Sequence, residues 1–126
     1  MIVRPTNPPA LRFQAVGKSF GTAVALRDVG FDVPAGACFG LVGVNGAGKT
    51  TLIRCLLDAN RATSGGVEIF GEPGTATAAR RHVAFLPERF SAPFYLTGRD
   101  FLTLMAKLYD HPTTDVEVFA ALDALD

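Results

Sequence analysis

Eight consecutive residues constrain this chain more than any other feature. Gly43-Val44-Asn45-Gly46-Ala47-Gly48-Lys49-Thr50 satisfies the pattern G-x-x-x-x-G-K-[ST] at every fixed position. At average residue usage, a chain of this length meets that pattern by chance about once in a hundred. The flanks narrow the reading further. Cys38-Phe39-Gly40-Leu41-Val42 is a nearly unbroken apolar run, which suits a strand covered on both faces in a parallel sheet. Thr51-Leu52-Ile53-Arg54-Cys55-Leu56-Leu57 reads as a helix. Strand, glycine-rich loop and helix in that order make an α/β arrangement.

The chemistry of such a loop follows from its residue types. Glycine lets the backbone approach an anion without a Cβ in the way. Successive N–H groups then form a cradle, reinforced by the positive end of the following helix. Lys49 adds a mobile cation for the β- and γ-phosphates. The Thr50 hydroxyl is a hard oxygen suited to Mg²⁺. The loop therefore points to a nucleoside triphosphate bound with magnesium.

Other function classes find less support. Lys plus Arg number 12 and Asp plus Glu number 12, so the formal charge is zero and gives no electrostatic case for nucleic acid or an anionic membrane. No apolar run approaches the roughly 20 residues that cross a bilayer. The N-terminus lacks the apolar core of a secretory signal, which indicates a cytoplasmic protein. Cys38 and Cys55 have no metal-ligand spacing and are expected to be small buried hydrophobes.

Along the chain, residues 1–10 look like a leader, with Pro5, Pro8 and Pro9, and one domain is expected over 11–126. Leu11, Phe13 and Ala15 alternate with polar residues as in a half-buried strand, and a second strand is expected from Val24 to Val33. Ser64-Gly65-Gly66 reads as a turn and Val67-Glu68-Ile69-Phe70 as a strand, ended by Gly71. Val83-Ala84-Phe85-Leu86 is another buried-type strand, stopped by Pro87. Two helices open with Thr followed three residues later by an acid, Thr97 with Asp100 and Thr114 with Glu117. Phe101, Leu104, Met105 and Leu108 form a stripe on the first that is expected to be core. The second runs through Phe119, Leu122 and Leu125 to Asp126 without a glycine or proline stop, as though the domain continued.

Val44 to Leu52, with Thr51 following Thr50, resembles the Walker A segment of ABC ATPases, the nucleotide-binding subunits of ATP-binding-cassette transporters. Ala25-Leu26-Arg27-Asp28-Val29 and Val33-Pro34-Ala35-Gly36 are similar to that domain's two-strand entry. Thr63 to Gly71 resembles its strand after the first helix, so the likeness spans residues 11 to about 109. The resemblance implies a P-loop NTPase core of ABC type, incomplete, with an N-terminal antiparallel β subdomain and the start of the helical subdomain. It implies ATP with Mg²⁺ lying on Gly43, Val44, Asn45, Gly46, Ala47, Gly48, Lys49, Thr50 and Thr51. Phe20 stands where the family places an aromatic that stacks on adenine, more often Tyr. Glu88, in Leu86-Pro87-Glu88, stands in place of the Q-loop glutamine near the magnesium site, as in exporters whose membrane subunit is a separate chain.

The departures are equally informative. The sequence holds no LSGGQ-like segment, no Walker B strand ending in Asp-Glu and no histidine switch. The catalytic carboxylate is therefore unassigned, and these residues alone are expected to bind ATP without hydrolysing it. The whole protein is expected to be an exporter-like ATPase working as a homodimer with a separate transmembrane permease, peripheral to the inner face of the membrane. The alternatives are a non-transport ABC ATPase of DNA repair or translation and a non-catalytic nucleotide-binding module. An unrelated P-loop GTPase or small-molecule kinase is disfavoured by the long similarity outside the loop, and no guanine-specificity segment of the Asn-Lys-x-Asp kind is present.

Overall fold

The computed structural model describes residues 8–109 and 114–124. The expected leader lies outside the described residues apart from residues 8–10, and so does Leu125 of the last helix. The chain divides into two compact units, residues 1–84 and 85–126.

The first unit is built on a four-stranded antiparallel sheet in the order β2-β1-β3-β4. Strand β1 (Leu11–Phe20) and strand β2 (Ala23–Val33) form a long hairpin whose last pair is Phe20 with Ala23. Gly21 takes a φ of 58° in the two-residue turn, the left-handed conformation that tight hairpins need. After helix α1 (Lys49–Leu56), strand β3 (Ser64–Ile69) returns to pair with the other edge of β1. The Ser64-Gly65-Gly66 segment is thus the start of a strand and not a turn. Gly65 makes this possible, because a Cβ there would run into the carbonyl oxygens of Gln14 and Ala15 on β1. The short β4 (Glu72–Pro73) and helix α2 (Thr77–Arg80) complete the unit.

Its core lies between one face of the hairpin and α1. Phe13, Val16 and Leu26 pack on Leu52 and Cys55, and the Phe13 and Phe31 rings stack at 4.6 Å. Burial of this face is what fixes α1, since eight residues form too short a helix to persist alone. On the solvent side of the sheet, Arg12 bridges Asp32 at 3.0 Å and Glu68 at 3.7 Å, tying three adjacent strands.

Two expected strands are not formed. Residues 38–42 and 83–86 are irregular, and both are largely exposed: Val42 is 92% and Leu86 80% accessible. A both-faces-buried strand exists only when neighbours supply its ladder and layers cover it. Among the described residues no strand pairs with either run. Cys38 is accordingly exposed, against expectation, while Cys55 is buried as expected.

The second unit contains helix α3 (Gly98–Leu108) and helix α4 (Asp115–Asp123). Both open with the expected capping boxes at Thr97 and Thr114. The absent side chain of Gly98 leaves α4 room to approach, with Leu122 Cδ2 at 3.4 Å from where a Cβ would stand. Arg99 joins the helices through Asp115 at 2.7 Å and lies 5.3 Å from the Phe119 ring centroid. The stripe expected as core is only partly covered: Phe101 and Met105 are half-buried, while Leu104 and Leu108 are exposed. Two short helices do not have surface enough to enclose it.

Candidate functional site

The glycine-rich loop joins the irregular run at 38–42 to α1. A turn closes within it, with the Ala47 N–H donating to Val44 O at 3.2 Å. Gly48 is the N-cap of α1 at φ 89°, and Leu52 N–H donates to Gly48 O at 2.8 Å to begin the helical ladder. A Cβ on Gly48 would stand 2.7 Å from the carbonyl oxygen of Ala25, so the loop rests directly on the backbone of β2. Ala25 is two residues beyond Ala23, the partner of Phe20. The hairpin thereby carries both the seat of the loop and the aromatic expected to meet a base.

The start of α1 is uncapped and carries no negative charge. Gly48 has no side chain to cap the helix and the first turn holds no acid. The N–H groups of Lys49, Thr50 and Thr51 have no intrahelical acceptor in a helix of this kind. The helix dipole places partial positive charge at the same end. Lys49 bends back over the loop and donates from Nζ to Gly43 O at 2.6 Å and to Val44 O at 2.8 Å. Its ammonium is thus held against the loop, whose carbonyls take the place of an anionic oxygen. Asn45, Gly46 and Thr50 are exposed beside it.

Phe20 ends β1 with its ring 49% exposed. Glu88 belongs to the second unit, exposed in the segment ahead of α3. All the other candidates belong to the first unit. One feature was not anticipated: the Lys18 ammonium lies 4.9 Å from the Phe20 ring centroid. The available signal was a lysine two residues before an aromatic on a strand, where side chains share a face.

A sequence model of the ABC transporter family matches residues 26–123. The chain belongs to the ABC transporter family of ATP-binding proteins. It is 31% identical over 113 residues to the Nod factor export ATP-binding protein I of Rhizobium leguminosarum bv. viciae, covering 88% of this chain and 36% of that protein. It is 35% identical over 109 residues to the protein of the same name from a Bradyrhizobium strain, covering 86% of this chain and 36% of the relative. A solved ATP binding subunit of an ABC transporter superposes with a TM-score of 0.74 at 28% identity, covering 85% of this chain and 45% of that one. The ABC-type chain thus spans about a third of the length of the curated relatives it matches. Its fold is the expected one, the antiparallel β subdomain with α1 and the beginning of the helical region. Among the described residues no helix is long and apolar enough to cross a membrane.

Proposed function

We propose that this chain is the nucleotide-binding portion, over residues 11–126, of an ABC transporter ATP-binding subunit. The loop from Gly43 to Thr50, with Thr51, holds the phosphates of ATP. Phe20 stacks on adenine. Thr50 offers its hydroxyl to Mg²⁺, and Glu88 stands, by its place in the sequence, where the family has the glutamine associated with the magnesium site. The observation that carries the reading is the uncapped start of α1, with Lys49 held across the loop by two carbonyls of its own backbone. Bound magnesium would neutralise charge between the β- and γ-phosphates; the loop's amides and Lys49 position and neutralise the rest.

The whole protein couples ATP binding and hydrolysis to a separate membrane permease. It does so as a homodimer at the inner face of the membrane, in an exporter-like system. The relatives' name, Nod factor export ATP-binding protein, supports the export sense. These 126 residues carry no Walker B Asp-Glu pair, so on their own they bind ATP and release no phosphate.

Calorimetric titration of Mg-ATP, alongside a phosphate-release assay, tests this directly. Lys49→Ala removes a charge-assisted contact and lowers ATP affinity about tenfold to a hundredfold. Hydrolysis by the 126-residue chain that depends on Lys49 would mean that a catalytic carboxylate lies within it, Glu88 first.

A further inference from the structure

Lysine side chains on exposed strands usually sweep through solvent, and that of Lys18 is held at its ammonium by two contacts. Its Nζ donates to the carbonyl oxygen of Arg61 at 2.8 Å. The same ammonium sits over the Phe20 ring, 4.9 Å from the centroid. The strand beneath is tied to the segment that follows α1. Thr63 N–H donates to Gly17 O at 2.8 Å, and Ser19 N–H donates to the Thr63 hydroxyl at 3.1 Å. One face of the Phe20 ring is therefore covered by a cation whose position is set by the backbone beyond the phosphate-loop helix. Phe20 as a whole remains 49% exposed.

We propose that Lys18 is a positioning residue for the nucleobase, holding one face of Phe20 so that only the opposite face is offered for stacking. This rests on the reading of Phe20 as the adenine platform. Two physical effects follow from the geometry. The ring is pinned in orientation, so less side-chain freedom remains to be lost when a base arrives. The cation also draws π density toward itself, which lessens the repulsion between the far face of the ring and the π cloud of an electron-rich purine. Phenylalanine lacks a hydroxyl that could anchor the ring by a hydrogen bond, and here the lysine supplies the anchor.

The test compares two ligands on the full chain: ATP, which carries a base, and inorganic tripolyphosphate, which does not. Lys18→Met is expected to weaken ATP binding about two- to fivefold and to leave tripolyphosphate unchanged. Lys18→Arg restores ATP affinity, because the cation returns to the ring. In a Phe20→Leu background, Lys18→Met has no further effect on ATP, since the two residues act as a unit. Equal weakening of both ligands, unchanged ATP binding, or additive losses in the double variant would each overturn the proposal. If Lys18→Met no longer folds, Lys18→Gln, which keeps a hydrogen-bond donor and loses the charge, is read on the same two ligands. Phe20→Leu with undiminished ATP affinity also overturns it while leaving the loop intact. Tripolyphosphate binding that ignores Lys49→Ala would instead strike at the loop as the phosphate site.

Discussion

A methyl group added at Gly48 would stand 2.7 Å from the Ala25 carbonyl oxygen and 2.8 Å from Leu26 Cδ2, on a backbone whose φ is 89°. Both the clash and the left-handed conformation must be relieved by moving the loop off β2. Gly48→Ala is therefore expected to lose about 1–3 kcal/mol in a urea melt and to weaken ATP binding in the same preparation. The cysteines make a second contrast. Burial raises the Cys55 thiol above its ordinary range, so its thiolate is scarcer, and the residue is enclosed by the core. Cys38 is exposed. A thiol reagent at neutral pH is expected to label Cys38 alone in the native chain and both residues in denaturant. At this scale the sequence was legible wherever chemistry is written in residue type. The turns of the loop from Gly43 to Thr50 could be read from its glycines, since Gly46 and Gly48 take the left-handed φ values of 84° and 89° that glycine favours. Lys18 could not, because its partner carbonyl on Arg61 lies 43 residues away in the chain. Cys38 was misjudged because a residue's apolar neighbours in sequence do not say what covers it.

Helices α3 and α4 are capped by Thr97 and Thr114, where local hydrogen bonding dictates the boundary. Asp100 N–H donates to the Thr97 hydroxyl oxygen at 3.2 Å, and the Asp100 carboxylate accepts the Thr97 O–H at 2.6 Å. Thr97→Ala removes that reciprocity and is expected to cost α3 about 1 kcal/mol, seen as faster amide exchange in its first turn. The same contacts hold the Asp100 carboxyl below the ordinary value of 3.8, chiefly through the Thr97 hydroxyl. A depressed folded value means the charged form is the one the fold favours. The stabilisation is present above pH 3.8 and is lost as pH falls through the lower folded value. An NMR titration of Asp100 should show a midpoint that rises toward the ordinary value in Thr97→Val. Such caps are legible because all their partners lie within one turn. Strands at 38–42 and 83–86 were expected from composition alone, yet a strand is a property of a pair. Composition tells what a segment can bury, and nothing in it supplies the neighbour. The shortest elements, β4 and α2, have too few residues for any period to show.

For the molecule as a whole, the unformed strands leave apolar side chains in solvent. Phe39, Val42 and Leu86 are exposed, and Phe94 in the second unit is 98% accessible. Exposed apolar side chains in such numbers favour association. The isolated 126-residue chain is expected to bind a hydrophobic dye and to sediment as concentration-dependent oligomers, and a sharply melting monodisperse monomer would contradict this. The sheet order has a different consequence. Leu11 pairs with Val33 on one side and with Ile69 on the other, so residues 34–63 leave the sheet beside β1 and come back to it. The whole glycine-rich loop and its helix are an excursion strung between the two strands that flank β1. Closing such a span costs chain entropy that no local contact within it repays. Refolding is then expected to be ordered in time, with the hairpin of β1 and β2 forming early from nearby residues and the loop acquiring its shape when β3 docks. A nucleotide, having no affinity for the half-made site, stabilises the finished state without hastening its arrival, and it should slow unfolding while leaving the refolding rate unchanged.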